Sequence, residues 1–316
     1  EGSTPSHGHM LRLPPLALRY DGAMAWTHCT PLPSCAVIAV TGRDARTFLQ
    51  GQLTNDLLGL ERHPGMLAAY CNRQGRVLAT LRLAADAEGV LIVLHRRLAA
   101  TLIGQISQYV LRADVRFEDR SDRNSVAGLI EAGPDPRGPP PAGAASGLAQ
   151  MVANSRRMLL IGARATLDAE LAAVPPCSAA DWDRACIADG EPLVQPETAA
   201  LWLPQMLNLD LLGAVSFGKG CYLGQEVIAR AQHLGRIKRR MLRYVGPAHA
   251  ALQPGHALFS GESLAAQVVA AAGDAGSTQC LAVVELRYCS NLLGVKPGGS
   301  EFVPADLPYA IPAPGA

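Results

Sequence analysis

The chain concentrates its chemically capable residues in one octapeptide, residues 219–226, which reads Lys-Gly-Cys-Tyr-Leu-Gly-Gln-Glu. Lysine is rare here: it occurs only at positions 219, 238 and 296, and arginine supplies the rest of the 28 basic side chains. An ammonium group and the free amides at a helix start both stabilise a sulfur anion. We therefore predict that Cys221 lies at a helix start, is partly accessible and is the catalytic thiol, with Lys219 favouring its thiolate.

The sequence on both sides of the octapeptide extends this pattern. Residues 203–210 read Leu-Pro-Gln-Met-Leu-Asn-Leu-Asp, and residues 227–230 continue as Val-Ile-Ala-Arg. Taken together, the region resembles the folate-binding YgfZ family, which is related to the aminomethyltransferase T-protein of glycine cleavage. Weaker similarity extends to residues 48–56 and 75–78, which leaves the middle of the chain and its C-terminus outside the resemblance.

The resemblance implies a tetrahydrofolate-binding protein that supports iron-sulfur cluster assembly or repair and, through it, tRNA modification. Tetrahydrofolate or a derivative would be the cofactor, and iron-sulfur proteins or assembly factors would be the partners. An accessory factor is favoured over an enzyme. Two other functions stay open. One is a folate-dependent one-carbon transferase of the aminomethyl type that uses Cys221, and the other is a scaffold that presents this thiol without binding folate.

The resemblance also implies which residues contact the cofactor. Trp182 corresponds to a family tryptophan that contacts folate, and an indole suits stacking on a pterin or aminobenzoyl ring. Asn208 is implied as a further contact. Gln225 can both donate and accept a hydrogen bond, so a pterin edge and the packing of two domains remain alternative roles for its amide.

Glu226 and Arg230 complete this set of cofactor-binding residues. Glu226 falls in the first turn of the predicted helix, where the helix dipole favours a carboxylate, so helix stabilisation explains it equally well. Arg230 opens a basic run that continues with Arg236 and residues 238–240. The run is suited to the anionic tail of a polyglutamylated folate or to an RNA phosphate, and a solvent-exposed strand edge is the alternative.

Two departures from the aminomethyltransferase pattern argue against glycine-cleavage chemistry. Those enzymes carry a Glu-Ala-Gly sequence where this chain has Ala188, Asp189 and Gly190, so a carboxylate is missing at the first of these positions. They also place an Asp pair shortly after the glycine of the first hairpin, where this chain has Ala79 and Thr80. Neither side chain can serve as a carboxylate acid or base near neutral pH.

Composition narrows the class of protein. The net charge of +1 over 316 residues gives no reason to expect strong direct nucleic-acid binding. The eight cysteines form no Cys-x-x-Cys pair, which favours a reducing, cytoplasmic compartment. No apolar run reaches the length of a membrane span, and the eight histidines show no spacing typical of a metal site. Residues 1–9 are interpreted as a remnant of an expression tag, with Met10 as the native start.

Hydrophobic periodicity predicts an α+β fold. Strands are expected at residues 36–40, 90–94, 115–117, 126–131 and 158–161, and a hairpin at 66–84 turns at residues 72–75. Helices are expected at residues 44–57, 98–110, 165–173 and 181–189, and residues 133–147 form a Pro- and Gly-rich loop or disordered insertion. Short apolar runs after residue 239 predict a small β-barrel.

We therefore predict two α+β units of ferredoxin-like type and a small C-terminal β-barrel. Residues 24–117 with 181–238 form the first unit, residues 118–180 the second, and residues 239–316 the barrel. The resemblance implies that the three surround a central channel large enough for a folate, an arrangement that periodicity alone does not predict.

Overall fold

The computed structural model describes residues 28–63, 65–130, 149–154, 157–235, 237–249, 251–299 and 301–312. The predicted tag remnant at residues 1–9, Met10, the predicted insertion at residues 133–147 and Arg236 lie outside the described residues. Within the described residues, the chain forms fourteen strands, β1 to β14, and five α-helices, α1 to α5. The strands make three antiparallel sheets, which confirms a mixed fold of helices and antiparallel strands.

The first sheet has the strand order β3-β4-β5-β2-β6. It contains β2 (Cys35–Thr41), β3 (Met66–Cys71), β4 (Val77–Asp86), β5 (Gly89–His95) and β6 (Arg116–Asp119). Its interior strand β2, between β5 and β6, is buried on both faces, as its unbroken apolar run suggests. Ile38 and Val40 face the core that contains α1 (Ala45–Gln50) and α2 (Ala99–Ser107), whereas Val37 and Ala39 face the second sheet.

The predicted hairpin at the start of the first sheet is confirmed. Strands β3 and β4 pair in antiparallel register, and the turn between them contains Gly75 at φ +70°. The side chain of Asn72 closes this turn, because its Oδ1 accepts from the amides of Gln74 and Arg76 at 3.0 and 2.9 Å. Such a turn holds its shape through local contacts, which explains why the sequence pattern located it.

The second sheet has the strand order β1-β7-β9-β8. Its strands are β1 (His28–Pro31), β7 (Ser125–Ile130), β8 (Ala149–Asn154) and β9 (Arg157–Gly162). One face packs on the first sheet through a shared core that includes Val126, Ile161 and Trp182. The other face packs on α3 (Arg164–Leu171) through Leu129 and Leu167. The stacked sheets therefore enclose Trp182 between them.

The third sheet has the strand order β11-β12-β13-β10-β14. Its strands are β10 (Arg239–Pro247), β11 (Ala257–Ser260), β12 (Ser263–Gly273), β13 (Ser277–Glu285) and β14 (Val303–Ala305). Two helices precede it: α4 (Ala179–Ala188) and α5 (Gln225–His233). Short 3₁₀ helices occur at Leu60–Arg62, Arg96–Leu98, Pro196–Thr198, Pro204–Leu207 and Leu286–Tyr288. Closure of the third sheet into a barrel and the central channel stay predictions.

Helix α4 connects the sheets. It begins with a capping box in which Ser178 and Asp181 exchange side-chain to backbone hydrogen bonds. Arg184 pairs with Asp181 on the helix and with Asp274 beyond β12, so the helix is fixed to the third sheet. The sequence pattern placed the helix at residues 181–189, and this cap explains its earlier start.

Strand pairing refines the predicted limits of the units. β1 falls within residues 24–117 but pairs with β7 in the second sheet. β6 ends at Asp119, so it crosses the predicted boundary between residues 117 and 118 while pairing with β2 of the first sheet. The division into three domains itself stays a prediction. No helix in the described part of the chain combines the length and apolar character needed to cross a membrane.

Candidate functional site around Cys221 and Trp182

The ammonium of Lys219 holds the octapeptide to a distant loop. Its Nζ donates to the backbone carbonyls of Gln50, Leu53 and Asn55 at 2.6, 2.8 and 2.7 Å. The side chain is buried, and burial lowers its pKa to about 8 although Asp56 opposes this shift. A lysine ammonium has three N–H donors, so these three carbonyls use them all. Its hydrogen bonds therefore anchor a loop, and the effect of this ammonium on Cys221 stays a prediction.

The anchored loop is fastened to the segment before the octapeptide by further hydrogen bonds. Thr54 Oγ1 donates to the carbonyl of Ala214 at 2.7 Å, across 160 residues of sequence, and accepts from the amide of Ala69 at 2.9 Å. Asn55 Nδ2 donates to the carbonyls of Leu67 and Gly213 at 2.8 Å each. The two sequence segments that carry the resemblance are thus joined in space.

Glycine allows the octapeptide to approach the first hairpin closely. Gly224 has φ +81°, and a Cβ there would lie 2.5 Å from the carbonyl oxygen of Asn72. A Cβ at Gly75 would lie 3.1 Å from Ile228 Cγ1 in α5. Any larger residue at Gly224 would have to displace backbone, so the close contact of α5 with the β3–β4 turn requires glycine.

Cys221 is exposed, whereas the other seven cysteines are buried or half-buried, and all eight are free. Its predicted accessibility is confirmed. The predicted helix start at Cys221 is wrong, because Gly224 takes the left-handed conformation as the N-cap and α5 begins at Gln225. The amides of the first helical turn therefore follow the thiol along the chain, and the first of them, that of Gln225, donates to the carbonyl of Tyr222 at 3.2 Å. Tyr222, next to Cys221, is buried in the main core.

The other octapeptide residues lie on α5. Gln225 is half-buried at its first position. Arg230 Nη2 donates to Glu226 Oε1 at 3.1 Å, and these side chains are 70% and 85% exposed. An exposed pair at this i,i+4 spacing stabilises a helix only slightly. The structure therefore places Glu226 and Arg230 on a solvent-facing surface, and the ligand roles of these residues stay predictions.

Asn208 ties three elements together inside the protein. It is buried, and its Nδ2 donates to the carbonyl of Met241 in β10 at 2.7 Å and to the hydroxyl of Tyr309 at 3.3 Å. Tyr309 in turn donates to the carbonyl of Gly190 after α4 at 2.7 Å. The donor side of its amide thus makes a structural link, Asn208 does not line the cavity beside Trp182, and its predicted contact with the cofactor stays a prediction.

Trp182 is enclosed on more than one side. It is only 7% exposed, and a Cβ on Gly128 of β7 would lie 2.3 Å from its Cε3. The guanidinium carbon of Arg157 lies 5.2 Å from the centroid of the indole, a cation–π contact. Trp182 is therefore covered by a strand and by a guanidinium, and a stacking ligand would have to displace one of them.

Arg157 belongs to a buried cluster of charges. Its side chain is 1% exposed, and it donates to Asp189 Oδ2 at 2.5 Å, to Glu191 Oε2 at 2.6 Å and to Cys186 Sγ at 2.8 Å. Glu191 also accepts from Arg82 Nε at 2.9 Å. Burial alone would lower the pKa of Arg157, but the carboxylates of Glu191 and Asp189 raise it, so the guanidinium stays charged.

A cavity of about 60 Å³ lies beside this cluster, which we call the Trp182 cavity; among its lining residues are Thr80, Trp182, Cys186 and Glu191. Thr80 Oγ1 accepts from the amide of Val194 at 3.1 Å, so the hydroxyl at this departure from the family pattern has a structural partner. Burial raises the pKa of Cys186 to about 12, which keeps this thiol protonated.

Glu191 makes the cluster sensitive to acid. Burial alone would raise its pKa, but Arg82 and Arg157 hold it at about 2. A carboxylate with a depressed pKa stabilises the fold above its ordinary value of 4.5 and loses that effect as the pH falls towards 2. We expect Glu191→Gln to reduce the free energy of unfolding at pH 7 by about 3 to 5 kcal/mol, because it leaves buried guanidinium groups short of a counter-charge.

Urea denaturation between pH 7 and pH 3 would test this expectation. The deficit of Glu191→Gln relative to the wild type should shrink below pH 4.5, because the unfolded wild type then takes up a proton at Glu191 while the folded protein keeps this charge until about pH 2. Glu226→Gln is the matched control, since Glu226 forms an exposed pair and should leave the stability near the wild-type value. A deficit that is constant over this pH range would contradict the charge argument.

Sequence reasoning missed Arg157 and Glu191. Glu191 directly follows Gly190, which was compared with the family pattern, so the sequence alone could have identified it. No sequence pattern indicates a role for Arg157, because its partners lie about thirty residues further along the chain. Among the described residues, no group of three or more His, Cys, Asp or Glu side chains is arranged to hold a metal ion.

Comparison with known proteins places the chain among related sequences. It is 33% identical over 228 residues to the tRNA-modifying protein YgfZ of Edwardsiella ictaluri, covering 67% of this chain and 69% of that protein. It is 28% identical over 228 residues to the protein of the same name from Colwellia psychrerythraea, covering 68% and 70%. No family model matches the chain.

A solved structure shares the fold. The aminomethyltransferase T of the glycine cleavage system from Bartonella henselae superposes with a TM-score of 0.66. The match covers 88% of this chain and 85% of that enzyme, at 15% sequence identity. At this identity, the likeness establishes an aminomethyltransferase-like fold and nothing about the reaction.

Proposed function

This chain belongs to the YgfZ family, and on that premise we propose that it is a tetrahydrofolate-binding accessory protein that supports iron-sulfur cluster assembly or repair. Through iron-sulfur enzymes it would support tRNA modification, in keeping with the name that its relatives carry. Iron-sulfur proteins or their assembly factors are its proposed partners, in the cytoplasm. The aminomethyltransferase-like fold supports the folate part of this proposal.

One observation carries the proposal. Cys221 is the exposed thiol of the chain, and it sits next but one to a lysine whose ammonium is held by three backbone carbonyls. Because the loop is fixed in this way, the cysteine has a defined position although its side chain stays exposed. The arrangement suits a thiol that is offered to another molecule, such as a partner protein, at a constant place on the surface.

The Trp182 cavity in its present arrangement does not fit a folate. Pockets that hold small molecules measure roughly 300–1,000 Å³, whereas this cavity measures about 60 Å³. The indole that was predicted to stack on the ligand faces Arg157 instead. No chemical step involving folate is therefore derived from these residues.

The fold of the aminomethyltransferase favours a second candidate, a one-carbon transferase that uses Cys221. The position where such enzymes carry a carboxylate is Thr80 here, and its hydroxyl is engaged by the amide of Val194. Since the residue cannot take up or release a proton near neutral pH, this candidate lacks an acid or base at that place.

Titration with tetrahydrofolate, followed by calorimetry, would test the folate part. We expect the wild type and Cys221→Ser to bind equally. Stacking of the ligand on Trp182 requires Arg157 to leave the indole, and on that prediction Trp182→Leu binds more weakly by roughly 1 to 3 kcal/mol, the range for loss of aromatic stacking on a planar base. Trp202→Leu is the matched control, because Trp202 is equally buried but lies in the core of the first sheet.

Each outcome separates the candidates. Absence of binding to a folded wild type would reject folate binding and leave a scaffold that presents Cys221. Transfer of label from a one-carbon donor to Cys221 would instead support the transferase. Equal affinity of Trp182→Leu and Trp202→Leu, with thermal melts showing both folded, would remove Trp182 from the ligand site.

A further inference from the structure

A larger cavity lies where strand β10 begins and strand β13 ends, and it shares no lining residue with the Trp182 cavity. It measures about 770 Å³, which falls within the range of roughly 300–1,000 Å³ for pockets that hold small molecules. We call it the Arg287 cavity, after one of its charged lining residues. Neither Cys221 nor Trp182 lines it, so the proposed function leaves this cavity without a role.

One part of the cavity wall is apolar and is built from separate chain segments. Leu203 directly precedes the 3₁₀ helix Pro204–Leu207, Met206 lies within that helix, and both line the cavity. Ile237 enters from the residues before β10, and Leu286 from the end of β13. Met206 and Ile237 are only half-buried. A molecule that fills the cavity would therefore gain free energy by covering them with an apolar body.

The other part of the wall is charged, because the ends of two paired strands meet there. Arg239 of β10 lies opposite Glu285 of β13 in the antiparallel register. Nη2 of Arg239 lies 2.7 Å from Oε1 of Glu285, and Nη2 of Arg287 lies 2.7 Å from Oε2 of the same carboxylate. Lys238 is the further cation among the lining residues. Three cations and one carboxylate leave an excess of two positive charges.

The shared carboxylate leaves both guanidinium groups accessible. The side chains of Arg239 and Arg287 are 53% and 69% exposed. Each places one terminal nitrogen on Glu285, whereas a guanidinium has five N–H donors. Arg240, the next residue of the basic run, is instead buried and pairs with Asp210 at 2.6 Å. The run is thus divided between a residue that faces the cavity and one that holds the fold together.

The excess charge and the apolar wall together specify a ligand. A phosphate monoester carries a charge of about −1.5 to −2 at pH 7 and has three acceptor oxygens. This charge matches the excess of the wall, and the oxygens suit the paired N–H groups of a guanidinium. A single carboxylate would neutralise only half of the excess. The apolar wall requires that the phosphate be attached to an apolar body.

We propose that the Arg287 cavity binds a phosphate monoester whose phosphate contacts Arg239 and Arg287 and whose apolar body covers Met206 and Ile237. The proposal goes beyond the proposed function and does not depend on it. Glu285 holds the two guanidinium groups side by side, and it also competes with the phosphate for their N–H groups. The phosphate belongs either to a free small molecule or to the end of an RNA chain, since both present the same group.

Calorimetric titration of the whole chain with 1-naphthyl phosphate and 1-naphthol would test the proposal, because the two compounds differ only in the phosphate. We expect the wild type to bind naphthyl phosphate about tenfold more tightly than naphthol, and Arg287→Gln to lose this preference. Glu285→Gln should bind naphthyl phosphate about threefold more tightly than the wild type, because a competing charge is removed. Arg164→Gln, which changes an exposed and paired arginine on α3, should behave as the wild type.

Further measurements separate the phosphate from the apolar body. Arg287 forms an exposed ion pair, so its loss should leave the fold intact, which a thermal melt would verify. Met206→Ala should weaken the binding of both compounds alike, since it removes apolar surface only. A 5′-phosphorylated RNA oligonucleotide identifies the source of the phosphate. If it binds more tightly than naphthyl phosphate and depends on Arg287, the phosphate belongs to an RNA end, and weaker binding assigns it to a free molecule.

Equal affinity of the wild type for the two naphthyl compounds would overturn the proposal, as would unchanged affinity for naphthyl phosphate in a folded Arg287→Gln. Weaker binding of tetrahydrofolate to Arg287→Gln would also overturn it, because the glutamate tail of that cofactor would then occupy the cavity. Failure of tetrahydrofolate to bind the wild type would reject the proposed function, and phosphate-dependent binding of naphthyl phosphate would still support this site.

Discussion

Cys221→Ser is expected to abolish rescue of a strain that lacks the endogenous protein while leaving the thermal midpoint and tetrahydrofolate affinity unchanged. Cys221 is exposed, so its replacement removes no packing. Serine matches the thiol in size, but its hydroxyl does not ionise near neutral pH and is a poor substitute for a thiolate nucleophile or ligand. Complementation scored by the activity of an iron-sulfur enzyme, together with a thermal melt of the purified variant, measures both parts.

Two other cysteines provide controls for this experiment. Cys289→Ser changes a half-buried thiol near the third sheet and should rescue fully. Cys280→Ser changes a fully buried thiol in the core of that sheet, so it should lower the thermal midpoint through lost packing and a buried hydroxyl. Full rescue by Cys221→Ser would remove this thiol from the mechanism and leave folate binding as the sole proposed role.

Local patterns predicted those elements that are held by local contacts. The turn at residues 72–75 and strand β2 followed from glycine, asparagine and an apolar run. The helix expected at residues 44–57 is confined to α1, Ala45–Gln50. Beyond it, Leu53 and Asn55 bind Lys219, and Thr54 binds Ala214. Here contacts between residues 160 positions apart outweigh helical periodicity. A local sequence pattern cannot reveal such contacts.

In the candidate site, too, the sequence predicted what depends on local residues and did not predict what depends on distant ones. The exposure of Cys221 was predicted from its place beside a lysine at an expected helix start, and it holds although the helix begins later, at Gln225. The surroundings of Trp182 were not, because three chain segments meet there: β7 through Gly128, β9 through Arg157 and the end of α4 through Asp189. Resemblance to a family identified the tryptophan, but only the packing of two sheets shows that a guanidinium already covers it.

Lys219→Met is expected to lower the free energy of unfolding by about 3 kcal/mol or more. The change removes three hydrogen bonds from a charged donor, each worth roughly 1.5 to 3 kcal/mol, and leaves carbonyls at Gln50, Leu53 and Asn55 without their donor. With a pKa of about 8, the wild-type side chain is mostly an ammonium at pH 7, so all three bonds are available there. Urea denaturation at that pH would measure the loss.

Lys219→Arg keeps the charge but changes the geometry, because a planar guanidinium does not match three carbonyls that converge on one point. We therefore expect it to lower the free energy of unfolding nearly as much as Lys219→Met does. Lys238→Met changes an exposed lysine and should have little effect. If Lys219 acts only as an anchor, the loss of rescue in cells should follow the loss of stability across these variants. A Lys219→Met protein as stable as the wild type but inactive in cells would return this ammonium to the chemistry of Cys221.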